Sequence, residues 1–234
     1  MHTLSILLNT AAQAATETAK NLNTQVSTSL TPADIFEKGG VMMYPLVILS
    51  IIALYIFGER YFAIARARKF DNNMMNEIKQ KIKAQEFNDA LLICETSNTP
   101  MGRMIAKGIR RMGRPLSDVQ TAIENVGNLE ISKLEKGLPV LASVSGGAPM
   151  IGFLGTVMGM IQAFYEMSSA KNVDISNLAG GIYTAMSTTA GGLLVGILAY
   201  FAYNILVARV DKTVAIMEHT STEFMDILHE PTKK

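Results

Sequence analysis

The sequence predicts an all-α integral membrane protein with three transmembrane helices and long helical extensions outside the bilayer. Two observations carry this. Of 234 residues, 49% are hydrophobic, with a positive mean hydropathy. Three runs, Gly39 to Gly58, Gly137 to Tyr165 and Ile175 to Ala208, contain no Asp, Glu, Lys, Arg or His. A hydrocarbon core about 30 Å thick needs roughly 20 helical residues at about 1.5 Å each, and every run reaches that length. A buried helix of a soluble core seldom runs so far without a charge. Between and after these runs, apolar residues recur at helical spacing, and no alternating pattern suggests a strand.

The first span is expected at 39–58. Of 21 Lys and Arg, 14 lie between Glu59 and Lys136 and four follow Ala208. Basic residues accumulate in cytoplasmic flanks. The stretch GERYFAIARARKF, with Arg60, Arg66, Arg68 and Lys69, therefore marks the cytoplasmic exit, and the N-terminus lies outside. The net charge of +1 conceals this asymmetry.

The expected order is an outer N-terminal segment (1–38), the first span, a cytoplasmic helical region (59–136), the second span (137–165), an outer loop (166–176), the third span (177–208) and a cytoplasmic C-terminal helix (209–234). Within 1–38, MHTLSILLNTAAQAA has a short apolar stretch but no basic region before it, which gives a cleaved signal weak support. TPADIFEKGG reads as an interfacial helix, with Thr31 as N-cap, Pro32 at the first helical position, and Ile35 and Phe36 on its apolar side.

In the cytoplasmic region one helix is expected to continue the first span to about Thr96. SNTP breaks it, with Thr99 as N-cap and Pro100 at the first helical position. MGRP is the next stop; Ser117 and Gln120 then have capping-box spacing and open a helix able to run into the second span. The basic run GIRRMGR has neither aromatic interleaving nor a nucleic-acid-binding motif beside it, and reads as a solvated loop near the membrane. Cys94, the lone cysteine, excludes a disulfide framework and reads as a small apolar residue in DALLIC. After the third span Val207, Val210, Val214, Met217, Ser221, Phe224 and Leu228 recur at steps of three and four, a short heptad seam that holds subunits together or packs on the chain's own helices.

The glycines of the spans are patterned. Ala142, Ser145, Pro149, Gly152, Thr156, Gly159 and Ala163 make a wholly small or hydroxylated stripe along the second span, and Gly155 with Gly159 forms a GxxxG pair. Ala185, Thr189, Gly192, Gly196 and Ala199 repeat the design in the third span, with Gly192 and Gly196 as the second pair. In lipid, helices gain nothing hydrophobic by associating, so small residues that permit close backbone approach imply neighbouring helices. Thr184, Ser187, Thr188 and Gly191 share an adjoining face. A membrane threonine often bonds only its own i−4 carbonyl. Counted with Thr156 and Thr189, these five hydroxyls in two adjoining spans nevertheless favour a polar lumen or cavity.

APMIGFLGTVMGMIQAF followed by GGIYTAMSTTAGGLLVGILAYFAYN resembles the signature of the MotA/TolQ/ExbB proton-channel family, closest to its ExbB and TolQ side. The resemblance covers the order of spans, the large segment between the first two, and both motif-bearing helices. It implies an inner-membrane homo-oligomer, a pentamer, with periplasmic N-terminus and cytoplasmic C-terminus, that uses the proton-motive force and needs no cofactor. It also implies an ExbD- or TolR-like single-span partner bearing an essential Asp, and a TonB- or TolA-like protein beyond it. Thr156 and Thr189 match the family's motif threonines, which places both on the proton path. Relatives often carry Glu five residues before the second threonine, where this chain has Thr184.

The residues themselves lead to a complementary point. The second and third runs hold no carboxylate, imidazole or amine, so the titrating acid is expected from a partner helix, with the threonines orienting it or its waters. Enzyme chemistry is disfavoured, since no Ser/His, Asp/Asp or HExxH arrangement lies in a span. His2, His219 and His229 form no metal set. A TolQ-like envelope-integrity motor subunit, by the same resemblance, and a non-conducting scaffold that uses its glycines for packing alone are the competing readings.

Overall fold

The computed structural model describes residues 39–67, 72–169 and 175–229, and their regular structure is entirely helical. The described elements are α1 (Met43–Ala67), α2 (Asn72–Lys83), α3 (Phe87–Thr96), α4 (Pro100–Ile109), α5 (Leu116–Glu135), α6 (Leu138–Ser169) and α7 (Ile175–His229). The signal-like N-terminal stretch, the expected interfacial helix around Thr31 to Phe36, the exit residues Arg68 and Lys69, and residues 170–174 of the expected outer loop lie outside the described residues.

Three stretches, Met43–Ala67, Leu116–Ser169 and Leu178–His229, are long and apolar enough to cross a membrane. Their most apolar windows are only 11%, 28% and 22% buried. Ile51, Leu54, Met150, Phe153, Leu194 and Leu198 are among the large apolar side chains left open. Water does not tolerate apolar faces of this extent; hydrocarbon does.

The described residues fall into two compact units: residues 39–43, 155–169 and 175–191 in one, and 44–67, 72–154 and 192–229 in the other. The larger unit holds the helices α2 to α5. Its core is built from fully buried Ile64, Ile78, Ile105, Ile123, Leu141, Leu206 and Phe224. Phe224 of α7 meets Ile123 and the backbone of Gly108, where a Cβ would stand 2.7 Å from the phenyl ring. Phe224→Ala is expected to cost about 3–5 kcal/mol, seen as a lower unfolding temperature of the detergent-solubilised protein.

The buried seam of α7 is shifted from the expected one. Leu206, Val210, Thr213, Met217, Thr220, Phe224 and Ile227 are buried, whereas Val207, Val214, Ser221 and Leu228 are half-buried. Val210, Met217 and Phe224 belong to both sets. The expected set followed apolar residues at steps of three and four, and a buried threonine is costly only when its hydroxyl is unpaired. Here Thr213 and Thr220 donate to the carbonyls of Arg209 (2.9 Å) and Ile216 (2.7 Å) on their own helix. The contacts of Phe224 show the seam packing on the chain's own helices.

Three boundaries also depart from expectation. No single helix runs from the first span to Thr96. A turn at Ala84 to Glu86 separates α2 from α3, with Gln85 at φ 62°. The Glu86 amide donates to the Lys81 carbonyl and the Gln85 amide to that of Ile82, the paired bonds of a Schellman ending. Glycine usually fills that left-handed position, so Gln85 hid the break. The capping box of Ser117 and Gln120 does not form: α5 starts at Leu116 after Pro115, and Gln120 Nε2 donates to Glu124 instead. Nor does α5 run into the second span, because Lys136 and Gly137 make a turn with Gly137 at φ 89°.

The SNTP break stands as read, with Thr99 Oγ1 accepting from the Gly102 amide at 3.1 Å ahead of Pro100. Beside it Glu130, 3% exposed, accepts from Arg103 (2.5 Å) and Lys133 (2.8 Å). Burial pushes this carboxyl up, but the bonds and charges of Arg103 and Lys133 outweigh burial and hold it below its ordinary range. A carboxyl lowered in the fold stabilises above its unfolded value of about 4.3 and loses that contribution as pH falls through the folded value. Denaturant titrations should therefore show stability declining below about pH 4, and declining less steeply in Glu130→Gln.

Cys94 is fully buried on α3. Burial, with a smaller push from Glu95, raises its thiol to about 12. Native protein should therefore resist maleimide at pH 8, with alkylation read by mass spectrometry appearing only on unfolding.

Candidate functional site

The two motif-bearing helices meet through their small residues, in each unit separately. In the larger unit, a Cβ on Gly192 would stand 2.6 Å from the Ala148 carbonyl oxygen and 2.8 Å from the Gly152 Cα. One on Gly196 would stand 2.6 Å from the Pro149 ring and 3.1 Å from the Ser145 carbonyl oxygen. Pro149 supplies no amide to that carbonyl, so the close glycine backbone brings Cα–H groups to an oxygen the proline leaves without a helical donor. Glycine is required at both positions by this approach, not by its dihedral freedom.

In the smaller unit, a Cβ on Gly159 would fall 2.9 Å from the Ala185 methyl, and one on Gly155 would fall 2.6 Å from the Thr188 hydroxyl. Between these close contacts the Thr156 and Thr189 hydroxyls are hydrogen-bonded to each other, and either can donate. Both residues are half-buried. The two motifs, 33 positions apart in the chain, thus bring their threonines to one point.

The other hydroxyls of the predicted site are placed differently. Ser187 is 6% exposed and donates to the Tyr183 carbonyl at 2.9 Å; Thr188 is 2% exposed and donates to that of Ala185 at 2.6 Å. Each is satisfied by its own helix. Thr184 is half-buried, its methyl 3.3 Å from where a Cβ on Gly40 would lie. Gly40 has φ 65° in the turn before α1 and escapes notice in the sequence because its neighbour lies far along the chain.

A second polar contact ties α1 to α7 at the end of the third apolar run. The Arg209 guanidinium lies 4.0 Å from the Tyr61 ring centroid and donates to the Tyr61 hydroxyl at 3.0 Å. A stacked, bonded guanidinium is a stable way to seat a cation beside apolar surface. Among the described residues, no group of three or more His, Cys, Asp or Glu could hold a metal ion.

Residues 96–219 match the MotA/TolQ/ExbB proton channel family, and the chain belongs to it. It is 30% identical over 195 residues to the biopolymer transport protein ExbB homolog of Methanothermobacter thermautotrophicus, covering 80% of this chain and 67% of the relative. The biopolymer transport protein ExbB-like 1 of Synechocystis sp. is 26% identical over 210 residues, 85% of this chain and 81% of the relative. The Tol-Pal system protein TolQ of Haemophilus influenzae is 41% identical over 102 residues, 44% of this chain and 45% of the relative. The three apolar helices are accordingly membrane spans, and the matched segment contains Thr156, Thr189 and both glycine pairs.

Proposed function

We propose that this chain is the channel subunit of an ExbB-like motor, which couples the proton gradient across the bacterial inner membrane to transport at the outer membrane. The observation that carries the proposal is the Thr156–Thr189 hydroxyl bond, formed between the two motif helices in spans that hold no carboxylate, imidazole or amine. A hydroxyl pair does not titrate near neutral pH, but it accepts and donates in either direction, which suits it to orient an acid or a short chain of waters. The acid then comes from another polypeptide. Five copies of this chain surround the single membrane helices of an ExbD- or TolR-like partner, whose Asp sits within reach of the threonines. Thr184, Ser187 and Thr188 complete the hydroxyl-rich sector. A TonB- or TolA-like protein carries the resulting movement outward.

The distribution of basic residues supports a periplasmic N-terminus and a cytoplasmic C-terminus, with α2 to α5 and the end of α7 in the cytoplasm. Two ExbB-named relatives that align over 80% and 85% of this chain support the ExbB-like reading; the TolQ-like one is supported by 41% identity over a shorter stretch, 44% of the chain. The energy source is the proton gradient, and the chain requires no cofactor for it.

The test is proton flux. Vesicles containing this chain and a co-purified single-span partner should acidify an internal dye when a gradient is imposed, and should cease to do so when the partner's Asp becomes Asn. Flux that persists without the partner, or no flux with it, refutes the coupling.

A further inference from the structure

The far end of α7 and the face of α5 leave a groove of about 590 Å³ outside the site described above. Its floor is apolar and already formed: Met104 is 5% and Met217 1% exposed. Its rim is acidic, with exposed Glu124 on α5 and exposed Glu218 and Asp226 on α7. His229 lines it but no Lys or Arg does, and among the described residues none of these three carboxylates has an ion-pair partner. Three uncompensated negative charges around flexible methionines attract a basic, partly apolar guest.

Such a guest exists on the same chain. Between α4 and α5 the turn Arg110–Arg114 carries Arg111, Met112 and exposed Arg114. Arg110 is paired with Glu95, whereas neither Arg111 nor Arg114 has an acidic partner among the described residues. The turn immediately precedes α5, and the groove opens at Gln120, roughly 6 Å along that helix from Leu116 at about 1.5 Å per residue. Turn and groove are thus different surfaces of one chain, the groove running along α5 from Gln120 to Ile131 just beyond the turn. Complementary patches so placed meet between copies related by rotation about an axis along the helices. Repeated around that axis, such head-to-tail contacts close into a ring.

We infer that the Arg111–Arg114 turn of one copy docks in the Glu124, Glu218 and Asp226 groove of the next. The inference rests on the homo-oligomeric reading above and adds to it the surface that orders neighbours outside the membrane. A basic segment of another protein is the competing occupant.

Two experiments on the full chain in membranes decide it. In a Cys94→Ala background, Arg114→Cys combined with Asp226→Cys should give a ladder of cross-linked multimers with a short bis-maleimide, and either cysteine alone should give none. Absence of the ladder in protein that still has oligomeric mass overturns the docking but spares the functional reading; a monomeric mass overturns both. An adduct with a different polypeptide in place of the ladder also overturns the docking. Glu218→Lys with Asp226→Lys, or Arg111→Glu with Arg114→Glu, should each raise the concentration for half-dissociation about tenfold, and the fourfold variant should restore it. A fourfold variant no better than either pair overturns the contact. All four side chains sit at the surface or half-buried, so these changes test docking and not folding.

Discussion

Thr156→Val is expected to abolish partner-dependent proton flux, by at least about 100-fold, while the assembly keeps its mass and its unfolding temperature. The substitution preserves shape and removes the hydroxyl bonded to Thr189. A positioned proton-transfer group contributes about 10²–10⁴-fold, and a carboxylate left without its orienting hydroxyl loses a factor of that order. Thr156→Ser, which keeps the oxygen, should retain most of the flux. The paired measurement separates channel from scaffold, because a packing role would be satisfied by valine and weakened by serine. Full flux in the valine variant removes Thr156 from the proton path.

Gly192→Ala is expected to be among the most damaging glycine-to-alanine changes at the described residues. Its Cβ would lie 2.6 Å from the Ala148 carbonyl oxygen and 2.8 Å from the Gly152 Cα, both backbone atoms that cannot swing aside. The helices must separate, losing close contact along the stripe at a cost of about 3 kcal/mol or more. By contrast Gly146, where an added Cβ meets nothing within 4 Å, should accept alanine without loss. Unfolding temperature and yield of assembled protein in mild detergent provide the readout; equal tolerance at both positions would remove the close approach from the account.

Much of this was legible in the sequence because lipid imposes simple rules. Uncharged length marked the spans, and the small stripe on the second span faces the small stripe on the third, as Gly152 with Gly192 and Gly159 with Ala185 demonstrate. What escaped was local and geometric. Gln85 occupies a left-handed position that carries no glycine signal, and Gly137 was read as the start of a span although its φ of 89° ends the preceding turn. Thr213 and Thr220 hid the register of the seam, since polarity alone cannot tell a hydroxyl that bonds its own helix from one that needs water. The Thr156–Thr189 bond could be narrowed to two adjoining faces, but not to a contact, because helical projection fixes rotation and leaves axial offset free. The acidic groove left no linear trace, as Glu124 comes from α5 and Glu218 and Asp226 from α7, far along the chain.

The seam threonines of α7 have a mechanical corollary. A hydroxyl that must find its acceptor across an interface locks two rods at one angle, since any swivel strands it in oil. Thr213 and Thr220 carry their acceptors with them, so a change in the packing angle of α7 would break no polar bond at those two positions.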